Sequence, residues 1–220
     1  MARPAAPKYW QVAIAVAVAA VFFVFFRPAN PLGLEVEDQV CLLRLARQQL
    51  VAAARGEGLI DVDPADFHGS LSRPASCFVS LSRGDAPRGC MIDRFEPHEP
   101  LYRNVLWNTI LAASGDDRFP SVTPDEVDDL RIEISVVSDP EQVMYQSPDD
   151  LLGALEPGVD GVILDVDGRT SAFLPWVWEA YPDPAMLLSE LCVKQGQPRH
   201  RWKETPYPRI EVFRAFSFSE

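Results

Sequence analysis

The chain has 220 residues, 47% of them hydrophobic, and a formal net charge of -12 at pH 7. The first thirty residues hold three basic side chains and no acid, so the other 17 basic and 32 acidic side chains leave the rest at -15. A surface this acidic repels phosphate backbones, which argues against a nucleic-acid partner, and the length is ample for one cored domain.

An uncharged apolar run at residues 9–26 stands near the N-terminus, and Gln11 is its one strongly polar residue. As a helix rising about 1.5 Å per residue, the run would cover roughly 27 Å, close to the hydrocarbon thickness of a bilayer. A cleaved signal peptide fits less well because FRPANP is a poor cleavage site, and a buried core helix fits less well because apolar residues cover every face. The run therefore predicts a single-pass membrane anchor.

Charges around this run predict its orientation. Basic side chains and the free amine precede it, whereas acidic residues follow Arg27. The positive-inside bias then places the N-terminus in the cytoplasm and the domain outside the membrane. The predicted division of the chain is a cytoplasmic tail, a transmembrane anchor, a proline-rich linker and one domain, at residues 1–8, 9–26, 27–34 and 35–220.

Helical and extended patterns alternate through the predicted domain. Residues 35–55 show helical spacing, with a buried face at Val36, Val40, Leu43, Leu50 and Ala54. Residues 76–82 and the RGCMI stretch predict a hairpin, and residues 101–113 predict a second helix. Further helical turns are predicted where a capping residue precedes proline, at Thr123-Pro124, Ser147-Pro148 and Asp183-Pro184. Further strands are predicted at residues 130–137, 161–166, 170–174 and 209–216.

The element order favours an α+β fold, preceded by one transmembrane helix, with a mostly antiparallel sheet and packed helices. The reason is that strands come as hairpins and do not alternate regularly with helices. The order hairpin, helix, strand occurs near residues 76–137 and again near residues 161–216, which suggests a duplicated strand-helix unit.

Cys90 is the main candidate for chemistry. A reactive thiol needs a nearby cation to lower its pKa and a base to take its proton. Arg88 lies two residues earlier, on the same face of a strand, and His98 is the nearest histidine in the sequence. These three residues form the candidate catalytic set. The alternative is an ordinary buried strand cysteine.

Two other hypotheses concern cysteine pairing and metal binding. If the hairpin turns at Arg83-Gly84, Cys77 lies opposite Cys90 and the two could form a disulfide, whereas a turn over RGDA shifts the register by two. The histidines show no metal-ligand spacing, and the cluster at residues 96–99 lies in a proline-rich turn. No metal site and no cofactor are therefore predicted.

Arg88-Gly89-Cys90-Met91 is similar to the middle of a Leu-Arg-Gly-Cys-Ile-Gly box. Six further pieces match in order, at residues 96–101, 117–120, 130–135, 158–164, 173–179 and 188–194. Over about residues 36–216, the chain resembles the AMMECR-type domain, also called AmmeMemoRadiSam system protein A. The resemblance implies a compact α+β domain with duplicated strand-helix units, in a family without a settled activity. It also implies an association with a Memo-like protein and a radical S-adenosylmethionine enzyme.

The chain departs from this family box on both sides of Cys90. Pro87 replaces the leucine and Ile92 replaces the second glycine, with Asp93 as an extra residue. A glycine there would let a ligand approach the backbone closely, and isoleucine would not. The expected function is a membrane-anchored binding or accessory module with a protein partner. The alternative is a small enzyme that uses Cys90 with Arg88 and a histidine.

Overall fold

The computed structural model describes residues 30–220. The predicted cytoplasmic tail and transmembrane anchor, at residues 1–8 and 9–26, lie outside the described residues. Between residues 30 and 220, no helix is both long enough and apolar enough to cross a bilayer.

The described residues form four α-helices and eight strands, joined by short 3-10 turns. The helices are α1 (Val36–Ala54), α2 (Leu101–Ser114), α3 (Pro148–Ala154) and α4 (Pro184–Lys194). The strands are β1 (Ser76–Arg83), β2 (Ala86–Met91), β3 (Arg131–Val137), β4 (Glu141–Gln142), β5 (Gly161–Val166), β6 (Arg169–Phe173), β7 (Arg209–Phe213) and β8 (Ala215–Ser219). The predicted helices and hairpins are therefore confirmed, with bounds shifted by a few residues.

The strands form two four-stranded sheets in the orders β2-β1-β3-β8 and β4-β7-β5-β6. Every hydrogen-bonded pair is antiparallel. Side chains of α1 and α2 share one apolar core with the first sheet, and side chains of α3 and α4 share a second core with the other sheet. The α+β class with antiparallel sheets and packed helices is confirmed.

The two sheets repeat one topology. In the first unit, the hairpin β1-β2 leads through α2 to β3, and in the second, the hairpin β5-β6 leads through α4 to β7. In both units the third strand pairs with the first strand of the hairpin. The fourth strands are exchanged, since β4 follows β3 but pairs with β7, whereas β8 follows β7 but pairs with β3. This exchange ties the two units to each other.

The prediction of one closing strand at residues 209–216 is wrong, because the chain passes from one sheet to the other at Arg214. The equivalent crossing of the first unit occurs at Ser138. The Ser138 amide donates to the Arg214 carbonyl at 2.9 Å, and the Arg214 amide donates to Ser138 Oγ at 3.0 Å. The backbone amide at each crossing therefore donates to an oxygen of the other crossing residue, a carbonyl in one case and a side-chain hydroxyl in the other.

The predicted buried face of helix α1 is confirmed at Leu50, and Leu43 and Ala54 pack partly against the first core, but the prediction is wrong for Val36 and Val40. Glu35 and Asp38 form a reciprocal capping box at its start. Val36 and Val40 are 67% and 48% exposed, because packing against the first core begins only at Cys41. The buried positions are Leu42, Leu45, Ala46, Gln49, Leu50 and Ala52.

A third apolar cluster joins the two units. Its buried members are Phe78, Val137, Ile163, Leu174, Phe213 and Ala215, which come from both sheets. Cys90, Ile92, Phe95 and Ala172 pack against this cluster from one side and remain partly accessible. This inter-unit cluster is the floor of a large concave region that Cys90 lines.

Candidate functional site

A cleft of about 480 Å³ opens between the two units. The second strands of the two hairpins form its walls, since Cys90 and Met91 come from β2 and Thr170, Ser171 and Ala172 come from β6. The remaining lining residues are Phe78, Ile92, Asp93, Arg94, Phe95, Glu96, Asp116, Arg118, Ile163, Lys194, Gln195 and Glu211. The cleft therefore combines an apolar floor with several charged side chains.

Gly89 explains why α2 lies so close to this part of β2. A Cβ added at Gly89 would stand 2.1 Å from the backbone oxygen of Ala112 in α2, a distance that no side chain tolerates. The close packing brings the residues that follow α2 to the cleft beside Cys90. Glycine is thus required here by close backbone approach.

Asp116, which follows α2, joins Cys90 to Arg118. Its Oδ2 accepts a hydrogen bond from the Cys90 amide at 3.0 Å. Arg118 donates from Nε to Oδ1 at 2.8 Å and from Nη2 to Oδ2 at 2.6 Å, a two-pronged pair. Burial alone would raise the pKa of Asp116, but the hydrogen bonds from Arg118 and from the Cys90 amide outweigh it and hold the pKa below its usual value.

Lys194, the last residue of α4, lies on the opposite wall. Its Nζ donates to the Ala172 carbonyl at 2.8 Å and stands 5.0 Å from the centre of the Phe173 ring. Lys194 is exposed, and partial desolvation of its ammonium lowers its pKa. Among the described residues, no carboxylate forms an ion pair with it.

Gln195 follows Lys194 and leaves a polar atom without a partner. Its amide nitrogen donates to Ser171 Oγ at 3.0 Å and to the Leu164 carbonyl at 3.3 Å. Its Oε1 is buried and accepts no hydrogen bond from any described residue. A buried acceptor of this kind at the edge of a cleft can take a donor from a ligand or from water.

The Cys90 thiol is held in its neutral form. Burial raises its pKa above the ordinary value of 9.0. Ser80 Oγ donates to the sulfur at 3.2 Å, and this bond lowers the pKa, as do the charges of Lys194 and Arg118, but burial prevails. Because the thiolate is the nucleophile, a neutral half-buried thiol is a weak one.

Arg88 lies away from the thiol, although it precedes Cys90 by two residues. The β1-β2 register shifts at this point, with Leu81 opposite Gly89 and Ser82 opposite Pro87, so Arg88 is the extra residue of a bulge. Bulges re-aim side chains. The Arg88 guanidinium donates to both carboxylate oxygens of Glu126 at 3.1 Å and does not line the cleft.

His98 lies in a separate surface pocket of about 360 Å³. Its Nε2 is 3.6 Å from both Asp93 Oδ2 and Glu99 Oε1. The structure therefore does not bring Cys90, Arg88 and His98 together in one site. Within residues 30–220, no group of three or more His, Cys, Asp or Glu side chains is placed to bind a metal ion.

The proposed pairing of Cys77 with Cys90 is wrong. The hairpin turns at Gly84-Asp85, and the bulge adds a further residue, so Ser80 lies opposite Cys90. Cys77 lies three residues further along β1, beyond the end of β2, and is fully buried. Cys41, Cys77, Cys90 and Cys192 are all free thiols.

Four polar residues of the cleft were missed by the sequence reasoning: Asp116, Arg118, Lys194 and Gln195. Arg118 and Lys194 lie in segments that matched the family, at residues 117–120 and 188–194, and this was the available signal. All four follow or end the helix of a repeated unit. In the duplicated unit, α2 and α4 are equivalent helices. A comparison of the residues at their C-terminal ends would have grouped these four residues in one candidate site.

Comparison with known proteins gives a consistent result. The family model described as AMMECR1 matches residues 43–218. A protein of Methanothermobacter thermautotrophicus is 33% identical over 184 residues, covering 81% of this chain and 92% of that protein. A protein of Methanopyrus kandleri is 33% identical over 191 residues, covering 85% of this chain and 90% of that protein.

A solved structure agrees with the sequence relatives. The crystal structure of an uncharacterised protein from Pyrococcus horikoshii superposes with a TM-score of 0.72 at 30% identity. The match covers 82% of this chain and 90% of that one. The family model, the relatives and the shared α+β fold lead to one conclusion: the chain belongs to the AMMECR1 family.

Proposed function

We propose that this protein is a binding or accessory module whose small-molecule ligand occupies the cleft between the two units. One observation carries the proposal: Asp116, Arg118, Lys194 and Gln195 converge around a neutral thiol, Cys90, over an apolar floor. Ligand sites have this composition, and they form preferentially where two structural units meet. The volume of about 480 Å³ lies within the usual range for such sites.

A cysteine-dependent enzyme is the second candidate. Cys90 lines the cleft, and the charges of Lys194 and Arg118 lower its pKa. Two facts favour binding over catalysis. Burial outweighs these charges and keeps the thiol neutral, and none of the three histidines, all of which are described, lines the cleft. A nucleophilic thiol requires a base or a lowered pKa.

The sequence before the domain supports a membrane location. The apolar run at residues 9–26 has the length of a single span, and the flanking charges favour an extracytoplasmic domain. A reporter fused after Glu220 tests this orientation. Activity of a cytoplasmic reporter would contradict it and would make a cytoplasmic radical enzyme an accessible partner. Activity of a periplasmic-type reporter would support it and would exclude that partner.

Ligand retention tests the binding proposal. Native mass spectrometry of the full chain, purified from its own cells and released from detergent, should show a bound small molecule. Ala172→Trp fills the cleft and should abolish the additional mass. Ala154→Trp, at an exposed position of α3 far from the lining residues, is the matched control and should retain it. Equal retention by both variants would place the ligand elsewhere and contradict the proposal.

A further inference from the structure

We infer that the ligand of the cleft is an organic anion, whose carboxylate or phosphate group lies between Lys194 and Arg118 and whose apolar body lies against Phe95. This inference rests on the proposed function, because it names the chemical class of the molecule that the cleft takes. The unpaired ammonium of Lys194, the unused donor of Arg118 and the apolar floor of the cleft support it.

Lys194 is a cation near Cys90 that has no internal counter-ion among the described residues. Asp116 neutralises Arg118 through their two-pronged pair. Lys194 remains, with hydrogen bonding only to a backbone carbonyl among the described residues. Of the other acids in the lining, Glu211 pairs with Arg209, and Asp93 pairs with Arg94. Glu96 is exposed and forms no ion pair with Lys194 or any other described residue. An ammonium without a counter-ion gains more from a ligand anion than an ammonium that already has a carboxylate partner.

Arg118 adds unused donors on the same side. Its Nε and Nη2 bind Asp116, whereas its Nη1 makes no hydrogen bond to any described residue. The side chain is 51% exposed, so this end of the guanidinium can reach a ligand. Asp116 fixes the plane of the guanidinium, and a fixed fork of donors suits a carboxylate or phosphate.

The neutral thiol is compatible with a bound anion. A thiolate at Cys90 would repel the anion and would take up the charge of Lys194. Burial keeps the proton on the sulfur, so the positive charge stays available. Cys90 in this view is part of the wall of an anion site, and its sulfur contacts the ligand without reacting.

The floor of the cleft is apolar and aromatic. Phe95 is half-buried and meets Phe78 edge-on at 5.7 Å between ring centres and Phe213 at 5.2 Å. Ile92 and Ile163 complete the lining beside them. An inorganic anion would leave this apolar surface wet, whereas an organic acid would cover it. The hydrophobic contribution scales with the apolar area removed from water.

Titration calorimetry of the full chain in detergent tests the ligand class with four probes. Benzoate and phenyl phosphate each carry an anionic group and a ring, benzamide keeps the ring without the charge, and inorganic phosphate keeps the charge without the ring. We expect benzoate or phenyl phosphate to bind about tenfold or more tightly than either benzamide or inorganic phosphate. The stronger of the two organic anions identifies the head group.

Three lysine variants locate the anion. Lys194→Met should weaken binding of the organic anion about tenfold and leave benzamide unchanged. Lys194→Arg should retain most of the affinity. Lys203→Met is the matched control, since Lys203 also lies beside an aromatic ring, that of Trp202 at 5.9 Å, but does not line the cleft. If Lys194→Met binds the anion as tightly as the wild type does, the inference is wrong.

The pH dependence gives a second readout. Desolvation lowers the pKa of Lys194 in the free protein, and a bound anion raises it again. Affinity should therefore be constant below the pKa of the free protein and fall as pH rises through it. If no organic anion binds while Ala172→Trp still abolishes retention of the natural ligand, the anion inference fails and the binding function stands. If retention does not depend on the cleft, both fail.

Discussion

Asn108 completes the edge of strand β1 by donating a hydrogen bond from its side-chain amide to the backbone carbonyl of Cys77 at 2.9 Å. The Cys77 amide, in turn, donates to Oδ1 of Asn104 at 2.9 Å. Strand β2 ends opposite Val79, so these two backbone groups of Cys77 have no strand partner on that side. Two asparagines one turn apart on α2 therefore replace a neighbouring strand.

The same asparagine directs the chain into the cleft. Asn108 Oδ1 accepts from the Asp93 amide at 2.8 Å, two residues after β2 ends. The loop that carries Phe95 and Glu96 to the cleft thus starts from a fixed point. Asn108 is a positioning residue, since it acts on the cleft through the backbone of this loop.

Replacement of Asn108 by leucine should destabilise the fold. The variant leaves the buried Cys77 carbonyl and the partly buried Asp93 amide without their partners. We expect a loss of about 2–4 kcal/mol in the free energy of unfolding, measured by urea denaturation. Arg103→Leu, at an exposed position of the same helix, should change it by less than about 0.5 kcal/mol. If Asn108→Leu is as stable as Arg103→Leu, the prediction is wrong, and water takes the place of the Asn108 side-chain amide.

Gly89→Ala should separate β2 from α2. The new Cβ meets a backbone oxygen of Ala112, which is not a flexible group, so one of the two elements must shift. Overpacking of this kind costs about 1–3 kcal/mol. The shift should also weaken the bond between the Cys90 amide and Asp116, visible as faster hydrogen exchange of that amide.

Gly153→Ala is the matched control for the change at Gly89. Gly153 lies inside α3, where an added Cβ meets nothing within 4 Å. Alanine is the better helix former, so this variant should be more stable by about 0.5–1 kcal/mol. Opposite signs for the two substitutions would confirm that close approach, and not chain flexibility, is the reason for glycine at residue 89.

Local signals predicted most of the elements, because each depends on a few neighbouring residues. The capping box of Thr123 and Glu126 and the side-chain caps of Ser147 and Asp183 are all present. The Asp167-Gly168 turn has both residues at positive φ, as a two-residue hairpin loop needs. The order of these predicted helices and strands along the chain was enough to predict the fold class and the repeated unit.

Non-local contacts decided the features that the sequence did not predict. The turn over RGDA shifts the register by two residues and the bulge in β2 by one more, so Ser80 lies opposite Cys90 in place of Cys77. The same bulge turns Arg88 toward Glu126. Lys194 lies 104 positions after Cys90 in the sequence, and only the pairing of the two units brings both to one cleft. Spacing along the chain carries no information about such an approach.

Glu126→Gln should reduce the loss of stability in acid. Hydrogen bonds from Arg88, then from Thr123, lower the pKa of Glu126 from 4.5 to about 2. A lowered pKa in the folded state contributes stability that is present above pH 4.5 and is lost as pH falls from 4.5 toward about 2. The variant lacks this contribution, so its urea midpoint should fall less steeply over that window.

Asp116 should account for part of the acid-dependent loss of stability that remains in Glu126→Gln. Its pKa is also lowered, so some loss of stability in acid should remain after Glu126→Gln. Because the Arg88–Glu126 pair lies near the surface, added salt should bring the wild type and the variant closer together. Glu57→Gln, at an exposed position without an ion pair among the described residues, should follow the wild type at every pH. If the urea midpoint of Glu126→Gln falls with pH as steeply as that of the wild type, Glu126 does not contribute this stability.

Alkylation of Cys90 should be slow at neutral pH, and its rate should still be rising with pH above pH 9. Burial raises the pKa of this thiol above 9.0, so the thiolate fraction is small at neutral pH and reaches its plateau only above that pKa. Lys194→Met removes a cation that favours the thiolate, and Ser80→Ala removes the hydrogen bond to the sulfur, so both variants should react more slowly at any given pH.

Peptide mapping after iodoacetamide treatment measures the rate at each cysteine separately. Cys41, a half-buried thiol on α1, serves as the internal reference and should keep its rate in both variants. Rapid labelling of Cys90 near pH 7 would instead support the cysteine-dependent enzyme, because it would require a thiolate that the geometry of the free protein does not stabilise.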